Sequence, residues 1–515
     1  MRTISRYNTQ FAAQQRTNQR FIPFGEWMPD MPALSNPGAN VATNVIPRTD
    51  KSYGPFPSAT VFSSALTAYC RGAYSGRDTT GNVANFAGDG TALYKSNGNG
   101  WDDVTNTGGA YTTGSAQYWE FAQYGDVVIA TNLADNPQAF TVSSDTNFAD
   151  LDSNAPKGKT VETIKDFLMF GDTNDGTDGD QPNRVWWSAI GDPTSWPTPG
   201  TASAAQVQSD YQNLPGTGRV QKIVAAVGGS DGAVFCERGI WRMNYSGPPY
   251  VFTFDLVEGA RGTRAPRSVI NIGPVAFYIG EDLGFYMFNG ATSVPIGVDK
   301  VDKYFASIVD QNSLHRVTSA ASPKDKLVMW SFQQQDVTDP DRILVYNWHL
   351  QRFSLVQLDH ELLRRATADG YTLEQLDNID SNIETFPYSF DDPILQGGAT
   401  LLSIFDTSHR AANLDGDNLA AEIETTEVDL VGNRVYADGI RPIVDNEDEV
   451  TAAFKYRDSQ ETDPTAQTYT SRDTEGICYN QIAARYLRAS VKIASGASWN
   501  HAQGVQVPYV PDGER

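Results

Sequence analysis

One repeated pattern constrains this chain more than any other feature. From residue 58 onward, a short apolar run is followed by a turn rich in Gly, Asp and Asn, then by a second apolar or aromatic run. Val83–Phe86 is answered by Ala92–Tyr94, Val127–Ala130 by Ala139–Val142, and Phe167–Phe170 by Val185–Trp187. Ala233–Cys236 is answered by Ile240–Met243, Val275–Ile279 by Phe285–Phe288, and Leu327–Trp330 by Ile343–Tyr346. Leu401–Phe405 is a last, weaker copy. β-branched and aromatic runs bracketed by turn residues are hairpin signals. Runs that stay apolar at every position, not every second one, indicate strands buried on both faces.

A lone hairpin cannot bury two faces. Small sheets stacked in a ring bury each other's faces and leave only short edges. Several copies start about 40–50 residues apart, the spacing of one four-stranded propeller blade. The expected fold is therefore all-β: a β-propeller of about seven blades over residues 58–418, with six or eight as alternatives. Two longer gaps are assigned to loop insertions at 171–184 and 191–219. A set of β-sandwiches is the rival architecture, because it also gives regularly spaced strands.

The ends differ from the middle. Residues 1–57 are irregular, and Phe21–Pro32 is rich in proline and aromatics. Proline there argues against a regular helix or a central strand. This N-terminal arm either lies extended along another surface or is an ordered lead-in wrapped on its own core. After residue 418 the strands become long and alternating, as in Ala421–Thr425, Val435–Ala437, Val450–Tyr456 and Tyr486–Val491. They indicate a separate C-terminal β-domain over 419–515. Helix signals are few. Asp359–Thr367 and Thr372–Asp380 each predict two turns, the second opening like a capping box with Thr372 as N-cap.

Composition narrows function. The 515 residues carry a formal net charge of −23, whereas tight binding to nucleic acid needs a surplus of Lys and Arg. The acidity suits either a soluble surface or a wall that DNA slides past. Cys70, Cys236 and Cys478 are odd in number and far apart, which indicates neither a disulfide framework nor zinc. The polar start Met1–Arg6 lacks the apolar stretch of a signal peptide. No apolar run is long enough to span a membrane, so no membrane insertion is expected.

The motifs that resemble chemistry are weak. Gly228–Gly232 matches GxSxG around Ser230, but the nucleophile elbow needs a helix after the serine. Ala233–Cys236 reads as a strand, so a β-turn is expected. Gly158-Lys159-Thr160 echoes the end of a phosphate-binding loop, but Ser153 stands where the first glycine belongs. It too reads as a turn. Gly171–Asp180 is acidic but lacks the spacing of a full EF-hand, so an exposed loop is expected over a Ca²⁺ site. The histidines at 315, 349, 360, 409 and 501 include no HxH or HxxxH pair. Trp186, Trp187, Trp196, Trp330 and Trp348 are expected to pack in cores more than to stack on sugars. No catalytic, cofactor-binding or metal-binding residue is nominated.

Further stretches, in order along the chain, carry a resemblance. They are Pro23–Asp30, Ser35–Pro37, Asn44–Pro47, Trp187–Trp196, and Gly239–Trp241 through Gly259–Gly262. Gly284–Gly290, Pro295–Gly297, Val301–Phe305, Tyr371–Asp377 and Gly496–Gly504 follow. Together they resemble the tail proteins of short-tailed bacteriophages that form the tail nozzle, also called packaged-DNA stabilisation proteins. The resemblance implies a propeller-bearing virion protein, made in the host cytoplasm and present as six copies around an axis. It implies docking under the head-to-tail connector and its adaptor proteins, with tail fibres or tailspikes as further neighbours. Genomic DNA would pass through the channel without tight binding.

The expectation is thus a non-enzymatic virion structural protein forming a ring that extends the DNA channel and helps retain and deliver the genome. The alternatives are a propeller hydrolase acting on host glycans and a glycan- or receptor-binding tail module. A hydrolase requires paired carboxylates at the propeller mouth. A binding module requires exposed aromatics.

Overall fold

A computed structural model describes residues 18–34, 36–368, 380, 382, 384–386, 389, 398–430, 432–445 and 450–511. The chain divides into two compact units. One joins Met1–Pro55 to Asn418–Arg515, and the other is Phe56–Asp417.

The larger unit is all-β and propeller-like. Its strands form successive four-stranded antiparallel arrangements, all but the last built from strands consecutive in sequence. The first sheet holds Ala73–Arg77, Val83–Gly88, Leu93–Ser96 and Trp101–Asp103, and the second Glu120–Tyr124, Val127–Thr131, Gln138–Thr141 and Ala149–Asp150. The third holds Lys157–Ile164, Phe167–Asp175, Gly179–Trp187 and Asp210–Asn213, and the fourth Val220–Ala225, Gly232–Cys236, Ile240–Gly247 and Val251–Glu258. The fifth holds Ile270–Ile272, Val275–Ile279, Phe285–Phe288 and Ser293–Pro295. Thr318–Ser322, Leu327–Phe332, Arg342–Asn347 and Arg352–Gln357 pair in the same way as a sixth run. The last sheet takes Leu362–Thr367, Thr400–Phe405 and Arg410–Asn418, and completes itself with Pro57–Ala65 from the other end of the unit.

The six complete hairpins read from the sequence are the two central strands of their sheets. Their apolar runs are continuous because neighbouring sheets cover both faces. Phe86 and Trp119 meet Val128, Phe140 and Phe148 between the first and second sheets. Ile129 meets Phe170 and Trp186 between the second and third. Phe167 and Trp187 meet Ile223, Val234 and Phe252 between the third and fourth. Phe235 meets Tyr278 and Phe288 between the fourth and fifth. Phe285 meets Trp330 at 5.0 Å between ring centroids. Leu66 and Tyr94 meet Leu362 and Phe405 where the last sheet reaches the first.

Two expectations fail here. Asp359–Thr367 was expected to be helical, but Leu362–Thr367 is a strand along Thr400–Phe405. Pairing and the burial of Leu362, Leu363 and Ala366 outweigh its local preference. The second helical expectation, Thr372–Asp380, lies outside the described residues except for Asp380. Residues 171–184 are no loop insertion either. They extend a long hairpin that bulges between Gly171 and Thr173, with Asp172 at φ +54°. The 191–219 gap does hold an insertion, including a short helix, Ala202–Val207, capped by Thr201.

The smaller unit is two antiparallel sheets drawn from both ends of the chain. One contains Ala39–Thr43, Ala421–Thr425, Tyr486–Ile493 and Val450–Arg457 in that order. The other contains Val45–Thr49, Ser52–Pro55, Ala502–Pro511, Val435–Val444 and Cys478–Ala484. Asn18–Pro23 also pairs with Ala502–Pro511, while Phe24 and Trp27 are buried. Of the two readings of the N-terminal segment, its described part is an ordered lead-in wrapped on its own unit. Among the described residues, no helix is long and apolar enough to cross a membrane.

Candidate functional site

The first strands of six sheets, Ala73–Arg77, Glu120–Tyr124, Val220–Ala225, Ile270–Ile272, Thr318–Ser322 and Leu362–Thr367, line a shared cavity. Successive first strands touch around much of the ring, and Leu362–Thr367 returns to Ala73–Arg77. The cavity, about 440 Å³, is lined by Tyr74, Glu120, Lys222, Arg267, Thr318 and Arg364 among others. These strands carry polar side chains because one side meets the cavity instead of a second sheet.

Lys222 forms an ion pair with Glu120 on the wall. Glu162, on the neighbouring strand, lies within electrostatic reach of both. Burial pushes its carboxyl up to about 7, the Lys222 ammonium pulls it down, and Glu120 adds to the rise. Lys222 thus pairs with Glu120 directly and acts on Glu162 at longer range.

A second cavity of about 210 Å³ opens beside Glu120 and is lined by Lys159, Asp172, Arg219, Arg264, Arg267 and His315. Asp172 is fully buried. Its Oδ1 and Oδ2 accept from Arg219 Nη2 at 2.9 Å and Nε at 3.0 Å. Burial raises the Asp172 carboxyl and the Arg219 guanidinium opposes that rise. Lys159 Nζ donates to Gln221 Oε1 at 2.8 Å, and burial pushes its ammonium below the ordinary value. The Arg267 guanidinium stacks 3.4 Å from the Tyr118 ring centroid and donates to the His315 carbonyl at 3.0 Å. Burial, then Arg267 and Arg316, lower the His315 imidazole.

No protein-family model matches the chain, and no curated protein matches its sequence. Among solved structures, a chain of a mitotic checkpoint complex superposes with a TM-score of 0.35 and 9% identity, covering 69% of this chain and 93% of that one. The computationally designed Ika8 protein superposes with a TM-score of 0.33 and 9% identity, covering 76% of this chain and 99% of that one.

The weak motifs have clear positions. Ser230 sits in the turn before Gly232–Cys236, where a strand follows it and not a helix, and its hydroxyl is spent on the Val227 and Gly232 carbonyls. Gly158-Lys159-Thr160 was expected to be a turn, but lies inside Lys157–Ile164, whose pairing with Phe167–Asp175 fixes it as a strand. In the acidic hairpin, Asp175 and Asp178 pair with Arg184 at 3.2 and 2.8 Å. Among the described residues, no group of three or more His, Cys, Asp or Glu is placed to hold a metal. The three thiols are buried and free. Trp186, Trp187, Trp196 and Trp330 are buried, and Trp348 packs against Phe277.

Sequence reasoning missed both cavities. Their residues come from strands that are neighbours only after the ring closes. The one visible signal was local: Arg261, Arg264 and Arg267 recur at intervals of three in an acidic chain.

Proposed function

We propose that this protein is a virion structural component of a bacteriophage tail. It forms a ring, as nozzle or tail tube, that extends the DNA channel below the head-to-tail connector. In this reading the larger unit is a seven-bladed propeller, one blade per four-stranded sheet, and serves as a rigid non-enzymatic body. The smaller unit supplies contacts to neighbouring copies, six around an axis, and to the connector and its adaptors. Tail fibres or tailspikes dock elsewhere on the virion tail.

The observation that carries the reading is the closure of the last sheet. Pro57–Ala65 and Arg410–Asn418 belong to the same four-stranded sheet, so both segments leading to the smaller unit leave the ring from one sheet. Such a body holds its shape while the unit built from both chain ends makes contacts, as a heterologous ring interface requires. The chain's net charge of −23 disfavours tight adhesion of DNA.

The test is the particle mass of the purified protein, alone and mixed with its connector ring. A closed multimer, or a monomer that becomes a stoichiometric ring on the connector, supports the proposal. A monomer that ignores the connector rejects it. Removing residues 1–50 is expected to weaken attachment, because strands from that segment belong to the smaller unit.

One observation favours a second reading, a propeller that binds or hydrolyses host glycans. Glu120, on the cavity wall, and Glu162 both interact with Lys222, and glycoside hydrolysis uses a pair of carboxyl groups. Turnover of surface polysaccharide that is lost in Glu162→Gln would select it.

A further inference from the structure

The small cavity beside Glu120 is lined by four cationic side chains, Lys159, Arg219, Arg264 and Arg267, against two carboxylates, Glu120 and Asp172. Asp172 is engaged by Arg219, with Asp180 3.6 Å from the same guanidinium, and Glu237 Oε2 accepts the Arg219 amide at 3.2 Å. Glu120 is engaged by Lys222. The lining also carries Arg264, Arg267 and His315. Among the described residues, Lys159, Arg264 and Arg267 make no salt bridge, although Asp172, Glu237 and Glu120 act on Lys159 at longer range. Arg264 is exposed.

We propose that this cavity is a binding site for a small oxyanion of the phosphate class, held between Lys159 and the pair Arg264 and Arg267. The site goes beyond the tail reading and does not depend on it.

Three features support a built site. Lys159 Nζ is positioned by one hydrogen bond to Gln221, which leaves its other ammonium donors for an anion. Arg267 is clamped between the Tyr118 ring and the His315 carbonyl, which holds its guanidinium plane in place. A fixed guanidinium presents paired donors that match phosphate oxygens. Burial also lowers the Lys159 ammonium, and an anion beside it would restore the preference for the charged form. The volume of about 210 Å³ admits a phosphate or a small phosphate monoester.

The experiment is calorimetric titration of the full chain with inorganic phosphate at constant ionic strength, repeated with sulfate, succinate and a sugar phosphate. Saturable one-site binding of phosphate is expected. Arg264→Ala, an exposed and unpaired position, is expected to weaken it about tenfold, the loss of one charged hydrogen bond. Lys159→Gln is expected to do the same and to abolish the proton uptake that accompanies binding at alkaline pH. Arg242→Ala, whose Asp255 partner lies on the fourth sheet, is expected to leave binding unchanged. A sugar phosphate that displaces phosphate identifies an organic phosphate as the ligand class, and phosphate binding alone assigns the free ion; either carries the proposal. No saturable phosphate binding overturns it, as does binding indifferent to both Arg264→Ala and Lys159→Gln or succinate binding more tightly than phosphate.

Discussion

Glu361 Oε2 accepts the backbone amide of Cys70 at 2.9 Å, across 291 positions of sequence. The same carboxylate meets His409 Nδ1, and the Glu361 carbonyl accepts Tyr69 Oη at 2.9 Å. One buried residue thus ties the segment before the first sheet to the last sheet. Glu361→Ala strands a buried amide and removes the partner of His409. The expected loss is about 2 kcal/mol, read as a lower urea midpoint with an unchanged slope. An unchanged midpoint would show that the tie is dispensable.

His360 is fully buried, with Nδ1 donating to the Leu358 carbonyl at 2.7 Å and Nε2 accepting from Ser331. Burial pushes its imidazole down to about 4. The unfolded chain takes up this proton at higher pH than the folded chain. Stability is therefore lost as pH falls from about 6.5 toward 4, by up to about 3 kcal/mol. His360→Gln is expected to flatten that part of the profile in urea titrations at stepped pH.

Glu162 has the opposite sign. Its carboxyl is raised to about 7, so the folded chain holds a proton that the unfolded chain has already released. Stability falls as pH rises from about 4.5 to 7. Glu162→Gln removes this slope and is expected to leave the variant at least as stable as the parent at pH 8. A variant less stable than the parent at pH 8 would contradict the assignment.

Trp330 is fully buried, packs on Phe285 at 5.0 Å, and donates Nε1 to the Ser268 carbonyl at 2.9 Å. It fills the space between the fifth sheet and the sixth. Trp330→Ala is expected to cost about 3–5 kcal/mol through cavity formation, visible as a lower midpoint in denaturant. A loss below about 1 kcal/mol would mean the sheets can close the gap.

The parts legible in the sequence are those with one environment. Phe167–Phe170 and Ala233–Cys236 are buried on both faces, so composition alone marks them as strands. First strands were harder to read. Ala73–Arg77 and Thr318–Ser322 are short, and rich in small or polar residues. Leu362–Thr367 carries two arginines, which hid its strand character. Lys159 was read as part of a turn because its role depends on Gln221 and Arg219, about sixty residues away. The described part of the N-terminal segment belongs with the C-terminal strands because Asn18–Pro23 pairs with Ala502–Pro511, a register that no local window contains.

The strand Pro57–Ala65 has a consequence for synthesis on the ribosome. Its Ser63 Oγ accepts from the Ala411 amide at 2.9 Å, 348 positions later. At about 5–20 residues per second, the strand waits roughly 20–70 seconds for its partner to emerge. During that interval it is an unpaired edge, and the earlier sheets can only stack as an open arc. Ser58, Thr60, Ser63 and Ser64 keep that waiting edge polar, which guards a nascent chain against pairing with its neighbours. Translation speed through the last sheet therefore sets how long each new molecule remains vulnerable.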